Sequence, residues 1–532
     1  MNTQTIKIFD TTLRDGQQCP GAGMAFEKNI EYARLAAKAG IDVLEAGFPS
    51  ASQTDFMIVN TIASELIAEN HNSPIIAGLC QLREQQIEIT INALQPAISH
   101  QKARLHTYLP VDPNLMASSL GDYANQKDTI LKDLYRFIRQ AREAGLEVEF
   151  SPEGYSRMGE NFNFVTEAII AAVSAGATII NCPDTIGGAC KLEGEKYFVE
   201  HMKQHAAIIK KQFPDKNITW SAHCHNDFGL ALENTMNAIF FGPVTQIEGC
   251  INGVGERAGN VSLEQCIMYI KHFGDRGANA QSFTTNVNTE VLQELSDFVD
   301  LYMLPRQPHW PITGENAARH SSGGHTNAVI KNPLAYQPFD PRVIGKEISF
   351  LFGPLSGGNH AKTIIEKFGY ICEEHEKAAI AQFIKNQYAD RRKGITDTEL
   401  LQAYLLYRQP IKATQFDYSK TGDNSTLSIT GGFFSLPESF TISYQGHESP
   451  LAALHKAILE YFPGITIESY HSHSASKSIE ALSQSKIVIR VGDELFTGIG
   501  EDNDIEISAL KALINATNQA YIYEFFRIKE VQ

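Results

Sequence analysis

The 532-residue sequence lacks several features that would assign it to a broad class. It has no apolar run near the ~20 residues needed to cross a bilayer, and its first residues, MNTQTIKIFD, lack the apolar core of a secretory signal. Its eight cysteines include no CxxC pair, which argues against a structural zinc knuckle and a disulfide framework. We therefore expect a cytoplasmic protein with reduced thiols and no membrane partner.

Basic residues are also outnumbered by acidic residues in this sequence. The chain has 45 Lys and Arg against 61 Asp and Glu, a formal net charge of -16. An acidic surface disfavours polyanions, so we expect no nucleic acid partner. The overall charge does not exclude a small anionic substrate, because such a ligand needs only a local basic pocket.

The first half of the chain contains a regular alternation of short β-rich runs with Ala-rich helical segments. Eight runs occur between residues 5 and 260: TIKIFDTT, IDVLEAGF, PIIAGLC, KARLHTYL, LEVEFSPE, ATIINCPDT, ITWSAHCH and TQIEGCING. Neighbouring parallel strands need a crossover between them, usually a helix, so eight strand and helix units predict an α/β fold with a (β/α)8 TIM barrel. In the helical segment FEKNIEYARLAAKAG, Gly40 stands where a C-terminal cap is expected.

Changes in composition predict three domains. We expect the barrel over residues 1–290, because prolines and polar residues then end the alternation. Residues 291–415 combine the Gly-rich HSSGGHTNAV with stretches such as EEHEKAAIAQFIKNQYADRR, which predicts helical linker subdomains. Residues 416–532 mix β-rich and helical stretches, which predicts a separate C-terminal α+β domain.

Polar side chains occur where the barrel strands end, and this is where barrels carry reactive groups. The residues concerned are Arg14 and Asp15 after strand one, His106 in strand four, Ser151 and Glu153 in strand five, Asp184 and Thr185 in strand six, and His223 and His225 in strand seven. We expect these side chains to converge on one mouth of the barrel.

The segment SAHCHND suggests a metal site. His223 and His225 are two residues apart on a strand, so both imidazoles point to the same face. An HxH pair alone is a weak signal, but with a carboxylate such as Asp15 it would suit Mn, Zn, Co or Fe. Asp15 could instead cap the next helix, and Arg14 could form a surface salt bridge or bind an oxyanion bidentately.

Four segments together resemble the α-isopropylmalate synthase and homocitrate synthase family: DTTLRDGQQCPG, EAGFPSAS, HCHNDFGLA and NGVGERAGN. Members of that family condense acetyl-CoA with a 2-keto acid on a metal-bearing barrel. The resemblance therefore implies a divalent metal (Mg, Mn or Zn) as cofactor and acetyl-CoA as cosubstrate.

The resemblance also implies roles for individual residues. The implied metal ligands are Asp15, His223 and His225, with Asn260 at or next to the metal shell. Arg14 would stabilise the keto oxygen. The residues implied at the keto acid site or its acid/base network are His106, Ser151, Glu153 and Thr185, with Tyr108 beside them.

Two segments could supply the catalytic base. HSSGGHTNAV resembles the family segment that carries a catalytic histidine, which would be His325, and Tyr336 in NPLAYQP matches a tyrosine downstream of it. In the family these residues reach the barrel of the neighbouring subunit, so a homodimer is implied. Glu153 is the competing base.

The keto acid is less directly indicated. After LHTY the chain reads LPVDPNLMAS, which departs from the family pattern. No additional basic residue stands beside Tyr108, which favours the apolar 2-oxoisovalerate, although Arg83, Lys102 and Arg104 leave 2-oxoglutarate open. Homocitrate synthase, citramalate synthase (with pyruvate) and acyl-CoA lyase are the alternatives. The chain lacks an AMKM-like segment, which argues against biotin-dependent carboxyltransferases.

The C-terminal segment GIGEDNDIEISALKALINATNQ resembles the end of the family's leucine-binding regulatory domain. The matching residues are Asp504, Ile505, Ser508, Ala509 and Asn518. Family glycine and aspartate positions are replaced by Glu448, Ser449 and Leu451. A leucine effector and a domain that only dimerises are therefore both open.

Overall fold

The computed structural model describes residues 3–69, 73–277, 281–391, 393–436, 439–445, 447–474 and 482–528. The chain divides into two compact units. The first comprises Met1–Ala318 with Phe339–Ile348, and the second Arg319–Pro338 with Ser349–Gln532. None of the helices in these described ranges is both long and apolar enough to span a bilayer.

Eight parallel strands of the first unit close into a barrel, which confirms the predicted fold class. In chain order they are β2 (Lys7–Asp10), β3 (Val43–Gly47), β4 (Ile75–Gln81), β5 (Ala103–Pro110), β6 (Glu147–Glu153), β7 (Ile179–Asp184), β8 (Thr219–Cys224) and β9 (Val244–Gly249). Each overlaps one of the eight predicted runs. Outside the barrel, β1 (Thr3–Thr5) pairs in parallel with β10 (Ser282–Thr284).

Helices surround the barrel and bury their apolar faces against the outer sides of its strands. They are α1 (Phe26–Ala39), α2 (Gln53–Glu69), α3 (Glu84–Ile98), α4 (Pro113–Leu120), α5 (Lys127–Glu143), α6 (Phe162–Ala175), α7 (Phe198–Gln212), α8 (Ala231–Phe240), α9 (Leu263–Phe273) and α10 (Leu292–Tyr302). The predicted cap at Gly40 is present. Its φ of 78° is left-handed, and its N–H donates to carbonyls of the last turn of α1.

The inside of the barrel is unusually polar. Glu45, Arg104, Glu149 and Glu248 are all fully buried there. Arg104 NH1 donates to Glu149 Oε2 at 2.8 Å, and Arg104 NH2 lies 2.7 Å from Glu147 Oε2. Buried charges are stable only when they have partners, and these side chains pair beneath the mouth of the barrel. We call this buried network the polar floor of the barrel.

The second unit begins with short helices and ends with two antiparallel three-stranded sheets. Its elements are β11 (Arg319–His320), α11 (Gly323–Lys331), β12 (Ser349–Phe350), α12 (Gly358–Lys367), α13 (Lys377–Gln387), α14 (Asp397–Arg408), β13 (Ile411–Thr421), β14 (Asn424–Phe433), β15 (Ser439–Gln445), α15 (Pro450–Tyr461), β16 (Ile465–Ser474), β17 (Ser483–Val491), β18 (Glu494–Asp502) and α16 (Ile505–Phe526). The two sheets and the helices α15 and α16 share one apolar core.

Three of the C-terminal residues that match the family pattern have structural tasks. Asp504 caps α16 by accepting hydrogen bonds from the N–H groups of Glu506 and Ile507. Asn518 holds the start of β13 through both the N–H and the carbonyl of Ile411, at 3.1 and 2.9 Å. Buried Ser508 lies 2.6 Å from Ser485 Oγ. These contacts give three of the five matching residues a structural role.

Candidate active site

A cavity of about 200 Å³ opens at the carboxyl ends of the barrel strands. It is lined by Arg14, Asp15, Gln18, Phe48, Leu79, His106, Tyr108, Ser151, Glu153, Asn181, Pro183, Thr185, His223, His225, Glu248, Glu256 and Arg257. The strand-end residues predicted to converge do so, except that Asp184 is not among the lining residues. Asn260 lies directly behind the cavity wall, where its amide donates to Asp15.

Asp15, His223 and His225 form a cluster with the spacing of a metal site. The Nε2 atoms of the two imidazoles are 3.2 Å apart, and Asp15 Oδ2 lies 3.6 Å from His223 Nε2. One potential ligand atom from each residue falls within 4.8 Å of the others. Nitrogen ligands at ~2.1 Å from a common ion lie ~3.0 to 3.4 Å apart in octahedral and tetrahedral sites. The imidazole pair fits that spacing.

Atoms without partners support the same interpretation. Asn260 Nδ2 donates to Asp15 Oδ1 at 3.0 Å, which leaves Asn260 Oδ1 buried without a hydrogen-bond partner. His225 Nδ1 is also buried without one. The alternative role for Asp15 is wrong, because its side chain makes no capping hydrogen bond to the short helical turn that follows it. The donor set therefore fits a divalent cation.

The protonation states suit metal binding. Burial lowers the pKa of both His223 and His225 to about 4, so each ring is neutral at pH 7. Burial alone would raise the pKa of Asp15, but the charge of Arg14, with the hydrogen bond from Asn260, holds it well below its ordinary value. A carboxylate and two neutral imidazoles are the ionisation states in which these groups act as ligands.

Arg14 is part of the cavity wall. Its side chain is 11% exposed, so the alternative of a surface salt bridge is wrong. Its NH1 donates to Asp15 Oδ2 at 2.8 Å and its Nε to Glu45 Oε2 at 2.5 Å. The two carboxylates fix the guanidinium plane beside the metal cluster, in position to meet an oxyanion.

His106 connects this ion pair to the opposite wall. Its Nδ1 lies 2.6 Å from Glu45 Oε1 and its Nε2 2.8 Å from Ser151 Oγ, which also accepts from Asn181 Nδ2 at 2.9 Å. Burial lowers the pKa of His106, but the charge of Glu45, with smaller effects of Glu248 and Glu149, raises it to about 9. The ring is therefore an imidazolium at pH 7, and it holds Ser151 and Glu45 in place.

We expect the His106 ion pair to make stability depend on pH. Because the pKa is about 9 in the folded chain and about 6.5 in the unfolded chain, the stabilisation is complete below pH 6.5 and is lost as the pH rises to about 9. Urea unfolding at pH 6.5, 8 and 9.5 should show this fall in the wild type. Glu45→Gln should flatten it, and an equal fall in both proteins would contradict the assignment.

Glu153, Thr185 and Tyr108 stand at the rim. Burial raises the pKa of Glu153, so its carboxylate is a stronger base than an exposed one. Thr185 Oγ1 accepts from the N–H of Gly154 at 2.9 Å and thereby joins the ends of two strands. Tyr108 OH accepts from Gln81 Nε2 at 3.2 Å.

His325 and Tyr336 belong to the second unit, whereas every residue that lines the cavity belongs to the first. Their rings stack at a centroid distance of 3.8 Å and an angle of 14°. Both side chains are exposed. The two rings therefore contact each other and form an exposed pair on the surface of the second unit.

Sequence reasoning missed several polar residues of the site. Glu45 and Asn181 lie within buried strands, and Arg257 donates to both carboxylate oxygens of Asp227 at 2.9 Å beside the mouth. A signal was present for the first two, since a carboxylate or amide in an otherwise apolar strand must be paired inside the fold.

Comparisons with known proteins agree with this architecture. A family model described as HMGL-like matches residues 5–299, one described as homocitrate synthase post-HMGL domain-like matches residues 312–393, and one described as LeuA allosteric (dimerisation) domain matches residues 435–521. The three matches follow the order barrel, connecting region and C-terminal domain.

Curated relatives match over nearly their whole length. A 2-isopropylmalate synthase of Prochlorococcus marinus (strain AS9601) is 33% identical over 98% of this chain and 94% of its own. One of Synechocystis sp. is 33% identical over 97% and 96%. One of Aquifex aeolicus is 32% identical over 99% and 98%. Because these relatives are more than 30% identical over nearly the whole of both chains, this chain belongs to the 2-isopropylmalate synthase family.

Proposed function

We propose that the protein joins acetyl-CoA and 2-oxoisovalerate to give 2-isopropylmalate and CoA, the first committed step of leucine biosynthesis. The observation that carries the proposal is the cluster of Asp15, His223 and His225 beside Arg14 at the barrel mouth. Relatives that span nearly the whole chain and are named 2-isopropylmalate synthases support it.

The reaction is a Claisen condensation. A base takes a proton from the acetyl methyl group, and the resulting carbanion attacks the keto carbon. The C=O π bond opens to an alkoxide, which takes up a proton to become the product hydroxyl. Water then cleaves the thioester to give a carboxylate and release CoA. A divalent ion (Mg, Mn or Zn) held by Asp15, His223, His225 and Asn260 would supply Lewis acidity. Arg14 offers a fixed positive charge toward the keto oxygen as negative charge develops there.

Two groups are suited to the proton transfers. Glu153 borders the cavity, and burial raises its pKa toward neutral pH, which suits a general base. His325, held against Tyr336, is the second, and we propose that it acts on the barrel of a partner subunit in a homodimer. The match of residues 435–521 to a dimerisation domain supports such a dimer.

The lining of the cavity favours an apolar keto acid. Arg14 is paired with Asp15 and Glu45, and Arg257 with Asp227, so a second carboxylate would meet no unpaired guanidinium among the described lining residues. Phe48, Leu79 and Pro183 offer apolar surface instead. A branched alkyl group gains from such contacts, whereas the distal carboxylate of 2-oxoglutarate would be desolvated without a partner.

The three basic residues that left the question open lie elsewhere. Arg104 is buried beneath the site against Glu147 and Glu149, and Lys102 Nζ donates to the carbonyl of Ser73 at 2.8 Å. Arg83 lines a neighbouring cavity of about 600 Å³, which shares Tyr108 and Glu153 with the metal-cluster cavity, and it does not line the metal-cluster cavity itself. This arrangement supports 2-oxoisovalerate over 2-oxoglutarate.

The test is CoA release by metal-replete protein with acetyl-CoA and pyruvate, 2-oxoisovalerate or 2-oxoglutarate in parallel. We expect the highest kcat/KM with 2-oxoisovalerate. A higher kcat/KM with either of the other keto acids would keep the proposed reaction and change the proposed substrate. No turnover with any of the three would contradict the proposed condensation.

For the C-terminal domain we propose a leucine effector site, so leucine should inhibit the reaction. If titration with leucine gives no heat, the effector site is contradicted and dimerisation is the remaining role for this domain.

A further inference from the structure

Glu248 lies directly beside one of the metal-cluster histidines, and no role has been assigned to it. It stands opposite His223 in the register of the neighbouring strands β8 and β9, and both side chains are buried inside the barrel. Glu248 Oε2 is 3.4 Å from His223 Nδ1. Neither atom has a hydrogen-bond partner, although both are fully shielded from water.

Two unpaired buried polar atoms that face each other indicate a hydrogen bond that is nearly formed. Normal N–H···O bonds span about 2.7 to 3.2 Å, so a small rotation of the imidazole would complete this one. The opposite ring nitrogen, Nε2, already lies 3.2 Å from His225 Nε2 and 3.6 Å from Asp15 Oδ2. The imidazole of His223 therefore lies between Glu248, which faces Nδ1, and the metal cluster, which faces Nε2.

We propose that Glu248 is a positioning residue that sets the tautomer and orientation of His223. With Nδ1–H donating to Glu248, the lone pair resides on Nε2 and points toward the cluster. Carboxylate partners of this kind fix the rings of metal-binding histidines and increase their basicity. The inference rests on the proposed metal-bearing site.

The contacts around Glu248 hold its side chain in place without an Arg or Lys partner among the described residues. Glu248 Oε1 accepts from Ser221 Oγ at 3.4 Å, and Ser221 Oγ accepts from Gln246 Nε2 at 3.1 Å. Arg104 reaches Glu149 at 2.8 Å, and no Arg or Lys forms an ion pair with Glu248 among the described residues. Arg104 compensates for the burial of Glu149. Glu248 shares a carboxyl–carboxyl hydrogen bond with Glu149, and His223 is the basic side chain that lies within ion-pair distance of it among the described residues.

The test is Co(II) binding by the full chain, measured by competition with a chromophoric chelator and by the Co(II) absorption spectrum. We expect Glu248→Ala to weaken Co(II) binding about 10- to 100-fold and to change the spectrum, because His223 loses its outer partner. Glu248→Gln keeps the shape and an acceptor oxygen, so it should recover part of the affinity. Glu149→Gln is the matched control, because it is equally buried, does not contact His223 and keeps a side-chain amide donor beside Glu248, to which Glu149 is hydrogen-bonded. It should bind Co(II) as the wild type does.

The outcomes separate the two levels of the account. A wild type that binds no Co(II) would overturn the metal-bearing site itself. Wild-type affinity and an unchanged spectrum in Glu248→Ala would overturn only the positioning role. If Glu248→Ala fails to fold, as judged by its urea midpoint, the isosteric Glu248→Gln decides. A spectrum and affinity equal to those of Glu149→Gln would then contradict the proposal.

Discussion

Asp15→Asn is expected to remove the bound divalent ion and to lower kcat about 10³-fold. The substitution keeps the size of the side chain but removes the single carboxylate of the cluster, which leaves two neutral imidazoles and an amide. Lewis acid stabilisation is worth several kcal/mol, and about 1.4 kcal/mol corresponds to a factor of ten in rate. Metal content by elemental analysis and kcat by CoA release would measure both effects.

The control for Asp15→Asn is Asp227→Asn. Asp227 is also a carboxylate that follows a barrel strand, but it is bound by Arg257 and lies outside the cluster. This control should keep its metal. An Asp15→Asn protein with one equivalent of metal and near wild-type kcat would contradict the ligand assignment.

Arg14→Lys is expected to lower kcat about 10²- to 10³-fold, the usual cost of losing one preorganised group that stabilises an oxyanion. Arg14 reaches Asp15 through NH1 and Glu45 through Nε, and a lysine ammonium cannot reproduce that planar arrangement. Because lysine keeps the positive charge, a fall in kcat would measure the contribution of the planar guanidinium and not of the charge itself. Metal content should remain close to that of the wild type, which distinguishes this effect from the loss of a ligand.

The matched control for Arg14→Lys is Arg257→Lys. Arg257 also lines the mouth and also binds an aspartate, but its side chain is 42% exposed. Exposed ion pairs contribute at most about 1 kcal/mol, so we expect less than a tenfold change in kcat. Equal losses in the two variants would mean that Arg14 only supports the local fold.

The barrel and its mouth could be predicted because two simple periodicities carry the information. Each strand run is short and β-rich, each is separated from the next by a helical segment, and polar residues follow where a strand ends. His223 and His225 share a face because strand side chains alternate, so the pairing followed from spacing alone. Their approach to Asp15 required closure of the barrel, which the count of eight strands implied.

The polar floor of the barrel could not be predicted in the same way. Glu45 lies in the middle of an otherwise apolar strand, and Glu248 lies near the end of a strand that also contains Thr245 and Gln246. Alternation does not tell which interior side chains meet across a barrel. Glu45 pairs with Arg14, from the loop after β2, and with His106, from β5, whereas Glu248 lies beside His223, from β8. Tertiary register sets these contacts, so they became visible only in three dimensions.

His325 and Tyr336 illustrate a different limit. Their stacking follows from local folding of residues 319–338, but their implied catalytic role depends on a second subunit. A single chain carries no information about such an interface beyond the exposure of the two rings. The dimer and the catalytic role of His325 therefore stay predictions.

The most direct test of the account is product formation by the full chain before and after removal of metal. Acetyl-CoA and 2-oxoisovalerate would be supplied to untreated, chelator-treated and metal-restored protein, with CoA and 2-isopropylmalate both quantified. The account predicts one CoA for each 2-isopropylmalate, loss of both after chelation and recovery of both with added Mg, Mn or Zn. Undiminished product formation by metal-free protein, or no condensation by the metal-restored protein, would contradict it.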